Sequence, residues 1–245
     1  MPIRTMTYNI FGARPGGIPD LQEIASVITK ADPDLVALQE VDRFTERNGK
    51  ELDIAKELGR MCGMDYFFAK AIDLGSGEYG DAILSKYPIQ SKYAFNMGVE
   101  PSLGGEQRSV ALISVDIEGE NLYFASTHFD HLSNEANRLK QAKDLQGILE
   151  KYDGPLIIGG DLNALPDSET IGIVKEKLVV ACRNNNCSQK TFSTANPNRT
   201  IDYIFYKGID KLTVVNYSVF DWADRESDHF PVVAVFNLKL GINNE

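Results

Sequence analysis

The chain has 245 residues, 43% hydrophobic and 24% charged, with 35 acidic against 25 basic side chains and a formal net charge of −10. Such a composition excludes a globally disordered chain and leaves enough apolar surface for a core without disulfide or metal staples. The acidic balance argues against a protein that holds nucleic acid mainly through its phosphates, because the average field is repulsive and no Lys/Arg cluster offsets it.

In chain order, residues 4–10 alternate polar and apolar side chains and predict a strand. Met1-Pro2-Ile3 before it shows no basic run followed by an apolar one, so no signal peptide is visible. A chain whose export signal has been removed would look the same, so the expectation is a soluble protein, cytoplasmic or exported. Asp20 caps a helix in which Leu21, Ile24, Ala25 and Ile28 recur at helical spacing until Asp32-Pro33 stops it. Residues 35–38 form a short apolar strand, and a second helix carries Leu52, Ala55 and Leu58 on one face with Gly63 near its end. Tyr66-Phe67-Phe68 reads as core, and 82–84 as a short strand between Gly80 and Pro88. Residues 110–117 and 121–127 predict a hairpin turning at Glu118-Gly119-Glu120.

A helix over 134–151 turns Leu139, Ala142, Leu145 and Leu149 inward, and 155–160 is a fully buried strand. Residues 200–206, 211–220 and 230–238, rich in β-branched and aromatic side chains, predict three further strands. Long loops are expected at 12–19, 73–79, 96–106 and 184–198. No apolar stretch approaches the ~20 residues a membrane span needs. With no repeats or linkers, the expectation is a single domain over 1–245, α/β, with mixed sheets covered by helices. Cys182 and Cys187 flank a polar loop and read as free thiols, a loop-closing disulfide being the alternative. Without a CxxC pair, a structural zinc site is not expected.

The chemistry gathers at strand ends. His128 and His131 bracket Asp130, and His229 follows Asp228, so each histidine sits beside an acid where α/β folds place their ligands. The strand at 35–38 runs into Gln39-Glu40, and the strand at 155–160 into Asp161-Leu162-Asn163. Asp161 and Asn163, two apart on extended chain, would project to one side. Gly159 and Gly160 would let another group approach the backbone closely. Asp202, inside Ile201-Asp202-Tyr203-Ile204-Phe205, would be buried and must be paired. Its partner is either an arginine or a histidine that it orients and charges. Glu40, Asp228 and Asn9 are oxygen donors of the kind that hold Mg²⁺ with water retained. A hard cation, histidines and a buried acid together suit metal-assisted phosphoester hydrolysis. His-Phe-Asp-His also echoes a dinuclear zinc hydrolase signature, but that site needs about five histidines and the chain has 3.

The ordered set Thr7-Tyr8-Asn9-Ile10, Leu38-Gln39-Glu40, Tyr79-Gly80-Asp81-Ala82-Ile83-Leu84-Ser85, Thr127-His128-Phe129-Asp130-His131, Gly160-Asp161-Leu162-Asn163, Ile201-Asp202-Tyr203-Ile204-Phe205 and Ser227-Asp228-His229-Phe230-Pro231 resembles the endonuclease/exonuclease/phosphatase superfamily. No single motif is specific; their order, from Asn9 to Val235, is. The resemblance implies a four-layer α-β-β-α sandwich with the site at one end of two face-to-face sheets. It implies Glu40 as the principal Mg²⁺ ligand (Mn²⁺ the substitute), helped by Asn9 and Asp228. Asp161 would orient or deprotonate the attacking water, Asn163 and His128 would donate to phosphate oxygens, and His229 paired with Asp202 would stabilise the transition state or act as acid/base. Arg108 matches a phosphate-contacting arginine, with a solvated strand-end charge as the alternative. Asp81 stands where many members carry Asn, which bears on phosphate binding or metal occupancy. Phe11 stands where some members carry an acid, which counts against a second metal. His131 and Arg138 resemble a subgroup with a longer THxDH motif; Arg138 otherwise pairs with a carboxylate.

Shared motifs do not choose a substrate. The acidic charge, the lack of a basic stripe and loops short for wrapping a duplex favour a small or lipid-linked phosphodiester or phosphomonoester, cleaved by in-line attack of an activated water. A nuclease acting on DNA or RNA is the alternative. A non-catalytic binding module would need a broken site, and the motifs read intact. Oligomeric state is not legible.

Overall fold

A computed structural model describes residues 1–182 and 187–241. Among them the strands are β1 (Pro2–Asn9), β2 (Leu35–Arg43), β3 (Asp65–Leu74), β4 (Gly77–Ser85), β5 (Ile89–Met97), β6 (Arg108–Ile117), β7 (Glu120–His128), β8 (Leu156–Asp161), β9 (Val179–Val180), β10 (Asp202–Lys207), β11 (Leu212–Val219) and β12 (Val232–Leu238). The helices are α1 (Leu21–Ala31), α2 (Ile54–Cys62), α3 (Ala136–Leu149) and α4 (Glu169–Lys175). Local chemistry accounts for their limits. The carboxylates of Asp20 and Asp53 accept the Glu23 and Lys56 N–H groups at the starts of α1 and α2. Gly63, at φ 65°, closes α2 in the left-handed conformation.

The strands assemble into two six-stranded sheets, ordered β11-β12-β1-β2-β4-β3 and β5-β6-β7-β8-β10-β9. Each is mixed: β1 and β2 run parallel in the first, β7 and β8 in the second, and their other neighbours are antiparallel. Ile3, Leu35, Ile83, Ile113, Phe124, Ile157, Ile204 and Phe236 fill the space between the sheets. A second apolar layer packs α1 and α2 on the first sheet, and a third packs α3 and α4 on the other. The four-layer α-β-β-α sandwich is therefore present. Gly159 and Gly160 allow the close approach expected of them. A Cβ on Gly159 would lie 2.7 Å from Thr7 Cβ on the facing sheet, and one on Gly160 would lie 2.6 Å from the Thr127 carbonyl.

Several expectations need correction. Residues 73–79 are not a long loop; β3 and β4 form a hairpin whose turn needs only Gly75 and Ser76, with Gly75 at φ 61°. The edge strand β5 escaped notice because its outer face is exposed and polar, and α4 because it is a single short turn-rich segment capped by Ser168. The last strand starts at Val232 rather than residue 230, just after Pro231, which has no N–H to donate. Cys182 and Cys187 are disulfide-bonded rather than free, and Cys62 remains a free thiol. Part of the loop expected at 184–198 lies outside the described residues; in the rest, Phe192 pairs with Arg199 in a short antiparallel bridge.

Candidate active site

Strand register brings the site together. His128 at the end of β7 pairs with Asp161 at the end of β8, and Asp161 pairs with Asp202 at the start of β10. On the facing sheet Asn9 ends β1, and β2 loses its register with β4 between Leu38 and Val41. That irregularity holds Glu40 at φ 57°, outside the extended range, and turns its carboxylate to the same end. Asn163 arrives differently from the alternation expected of it. It sits at φ 48°, a left-handed conformation Asn tolerates, with its N–H donating to Asp161 Oδ1 at 2.9 Å. The turn sets its side-chain amide 3.0 Å from His128 Nε2.

His229 is buried between acids. Its Nδ1 lies 3.0 and 3.1 Å from the two Asp202 oxygens, and its Nε2 lies 3.6 Å from Asp161 Oδ2. Burial alone would favour the neutral ring, but Asp202, Asp161 and Asp228 outweigh it and hold the imidazolium up to about 10. His128 is the reverse case: burial, with Arg108, His229 and His131 nearby, pushes it well below the usual histidine range, so it is neutral. Asp161 is raised by burial and by the Asp202 charge beside it. The site thus pairs a protonated histidine with a carboxyl shifted toward neutrality, which is the separation that acid and base roles require.

Arg108 is 2% exposed, not a solvated strand-end charge. Its guanidinium bonds His128 Nδ1 at 3.2 Å and His131 Nδ1 at 3.1 Å, and it pairs with Glu106 at 3.2 Å. Arg138 donates to the carbonyl oxygens of Asp130 and Leu132 rather than to a carboxylate. Asn9 bridges the carboxylates: its amide donates to Glu40 at 3.0 Å and Asp161 at 3.1 Å, while its oxygen accepts the Phe11 N–H at 3.0 Å.

A cavity of about 330 Å³ opens over these groups, lined by Glu40, Arg108, His128, His131, Asp161, Asn163, Asp228 and His229 from the expected set. Asn9, Asp202 and Asp81 do not line it; the first two support its walls from behind. Tyr79, Glu106, Phe192, Arg199 and Ile201 complete the lining. Tyr79 and Ile201 stood inside the quoted motifs without a role, and Glu106 lay two residues before Arg108. Phe192 and Arg199 carry no sequence signal, since only their bridge pairing brings them there.

Asp81 lies beneath the site on β4, with one carboxylate oxygen accepting the Ser109 hydroxyl and the other lacking a partner among the described residues. Burial, opposed by Ser109 and Arg108, raises its carboxyl to about 7. A raised acid binds its proton more tightly in the fold than in the unfolded chain. Its contribution is therefore favourable below the unfolded value and is lost as pH rises through about 7. Asp81→Asn removes that loss, so the melting-temperature gap over the parent should widen between pH 5 and pH 8 by roughly 5–10 °C. A gap independent of pH would show that the fold does not raise the Asp81 carboxyl.

Asp161, Asp202 and His229 place ligand atoms within 4.8 Å of one another, so this buried group could bind a metal. Glu40 and Asp228 also line the cavity, and neither has a Lys or Arg partner among the described residues. Carboxylates at a cavity wall with no Lys or Arg to neutralise them are the donors a hard divalent cation takes.

The family described as Endonuclease/Exonuclease/phosphatase family matches residues 6–229. Exodeoxyribonuclease III of Haemophilus influenzae is 26% identical over 239 residues, covering 93% of this chain and 82% of that protein. The structure of an endonuclease/exonuclease/phosphatase from Beutenbergia cavernae superposes with a TM-score of 0.81 at 22% identity, over 97% of this chain and 72% of that one. A mannosyl-6-phosphatase from Bacteroides thetaiotaomicron gives 0.74 at 19% identity, over 96% and 99%. At these identities the structural likenesses establish the fold.

Proposed function

The chain belongs to the endonuclease/exonuclease/phosphatase family and is a metal-dependent phosphoester hydrolase, and from that premise we propose that it uses Mg²⁺ to hydrolyse a small or lipid-linked phosphomonoester or phosphodiester. The observation that carries the choice of substrate is the cavity itself: about 330 Å³, with Phe192, Arg199 and Tyr79 among its lining. That volume suits a head group rather than a duplex, and a net charge of −10 agrees.

Arg108, His128 and Asn163 hold the phosphate oxygens from one wall. His128, kept neutral, adds an N–H without repelling Arg108. Asp161 takes the proton of the attacking water as oxygen bonds to phosphorus in line with the departing ester oxygen. The His229 imidazolium, backed by Asp202, stabilises charge gathering on the phosphorane. Glu40, with Asp228, would hold the divalent metal, which when bound offsets the phosphate charge. Asn9, donating to Glu40 from behind the wall, would orient that carboxylate rather than ligate.

A nuclease is the second reading, supported by the similarity to an exodeoxyribonuclease III. A substrate panel decides: an aryl phosphodiester, an aryl phosphomonoester, sphingomyelin, phosphoinositides, single-stranded DNA, RNA and plasmid, each with Mg²⁺ and with EDTA. Turnover is expected on the small or lipid-linked esters and lost with EDTA. Efficient plasmid cleavage at low enzyme concentration would overturn the substrate assignment, and its steep loss with added salt would mark phosphate-backbone binding.

A further inference from the structure

The arginines of this acidic chain are mostly spoken for. Arg43, Arg47, Arg60 and Arg108 sit on carboxylates, and Arg4, Arg14 and Arg138 are held by carbonyl or amide oxygens. Arg199 is different. It is exposed, lines the reaction cavity, and among the described residues its guanidinium has neither an ion-pair partner nor a hydrogen-bond acceptor.

It is nevertheless held in place. The guanidinium carbon lies 4.4 Å from the centre of the Phe192 ring, and Phe192 in turn lies 4.7 Å from the ring of His229. Backbone bonds fix both residues: the Phe192 N–H donates to the Arg199 carbonyl at 3.1 Å, and the Arg199 N–H to the Phe192 carbonyl at 3.0 Å. Phe192 also bridges to His229. A guanidinium resting its face on a ring keeps its edge donors free, and that planar edge matches a carboxylate or phosphate with two parallel hydrogen bonds. Arg108 is assigned to the reacting phosphate and is anchored by His128, His131 and Glu106, which leaves a second anion to Arg199.

We propose that Arg199, seated on Phe192 one ring removed from His229, binds a second anionic group of the substrate, so that the preferred substrates are phosphoesters carrying a further carboxylate or phosphate besides the one that reacts. The inference rests on the small-phosphoester reading of the same cavity and narrows it.

Non-hydrolysable probes separate the two. Alkyl phosphonates with chains of two to four carbons carry only the phosphate mimic; ω-carboxyalkyl phosphonates of matched length add the second anion. Their affinities, measured by calorimetry with Mg²⁺ present, need no turnover. In the parent protein at least one carboxylated probe should bind about 10-fold more tightly than its alkyl match. Arg199→Gln should bring that ratio to within about 2-fold while the alkyl phosphonate affinity stays put, and Arg199→Lys should keep part of it. Circular dichroism melting verifies that each variant folds.

A ratio near unity in the parent, or a preference that survives Arg199→Gln, overturns the role of Arg199 and leaves the phosphoester site standing. Absence of binding by either probe series overturns both.

Discussion

Asp161→Asn should lower kcat/KM by about 10²- to 10⁴-fold with little loss of stability, the range expected when a positioned proton acceptor is removed. The substitution is nearly isosteric: Oδ1 can still accept the Asn163 N–H, and the Asn9 amide, which loses its Oδ2 acceptor, keeps its bond to Glu40, so most of the geometry is kept while basicity goes. The pH profile separates this role from a structural one. Burial and the Asp202 charge raise the Asp161 carboxyl above the usual carboxylate range, so the parent should gain activity as pH rises through that displaced value. Activity should fall again as the His229 imidazolium, held up to about 10, loses its proton. The variant should lose the acidic limb and keep the alkaline one. An unchanged profile in Asp161→Asn would assign the proton transfer elsewhere.

Glu40→Gln should raise the Mg²⁺ concentration for half-maximal activity by at least about 10²-fold, the upper limit of what losing a group that only supports a ligand costs. The folded protein should not suffer for it. Burial, countered by the Asn9 hydrogen bond, raises the Glu40 carboxyl, so the metal-free fold holds its ionised form less well than the unfolded chain does. The linkage has the same sign as at Asp81: a raised acid withdraws stability as pH climbs through its folded value. Without metal, Glu40→Gln should therefore melt at or above the parent at pH 7, and added Mg²⁺ should stabilise the parent far more than the variant. Equal stabilisation of both by Mg²⁺, followed by melting, would remove Glu40 from the metal site.

Strand ends explain how much of this was readable beforehand. Alternation in 4–10, the apolar run before Glu40 and the run before Asp161 each mark a buried strand, because a sheet covered on both faces tolerates polar groups only where it ends. Local capping chemistry likewise set α1 and α2, where Asp20, Asp53 and Gly63 sit at the limits their side chains dictate. What escaped were β3, whose aromatic run reads equally as core, β5, an edge strand with most side chains exposed, and β9 and α4, too short for a period to show. The burial of Arg108 was not legible either, because it depends on His128 at the end of β7 and His131 just beyond it.

The order of the motifs determined the family, the layered fold and the residues Asn9, Glu40, His128, Asp161, Asn163, Asp202, Asp228 and His229 as a candidate set. Tertiary structure alone decided their electrical state and their company. Whether a histidine is held charged, as His229 is by Asp202, or neutral, as His128 is beside Arg108, depends on charges within a few ångströms that are distant along the chain. The same holds for Asp81, drawn out of the cavity by Ser109, and for Phe192 and Arg199, brought onto His229 by a bridge that no motif encodes. Composition and periodicity report which side chains must leave water; electrostatic and stacking energies fall off with distance in space, and that distance is set only when the sheets close on one another.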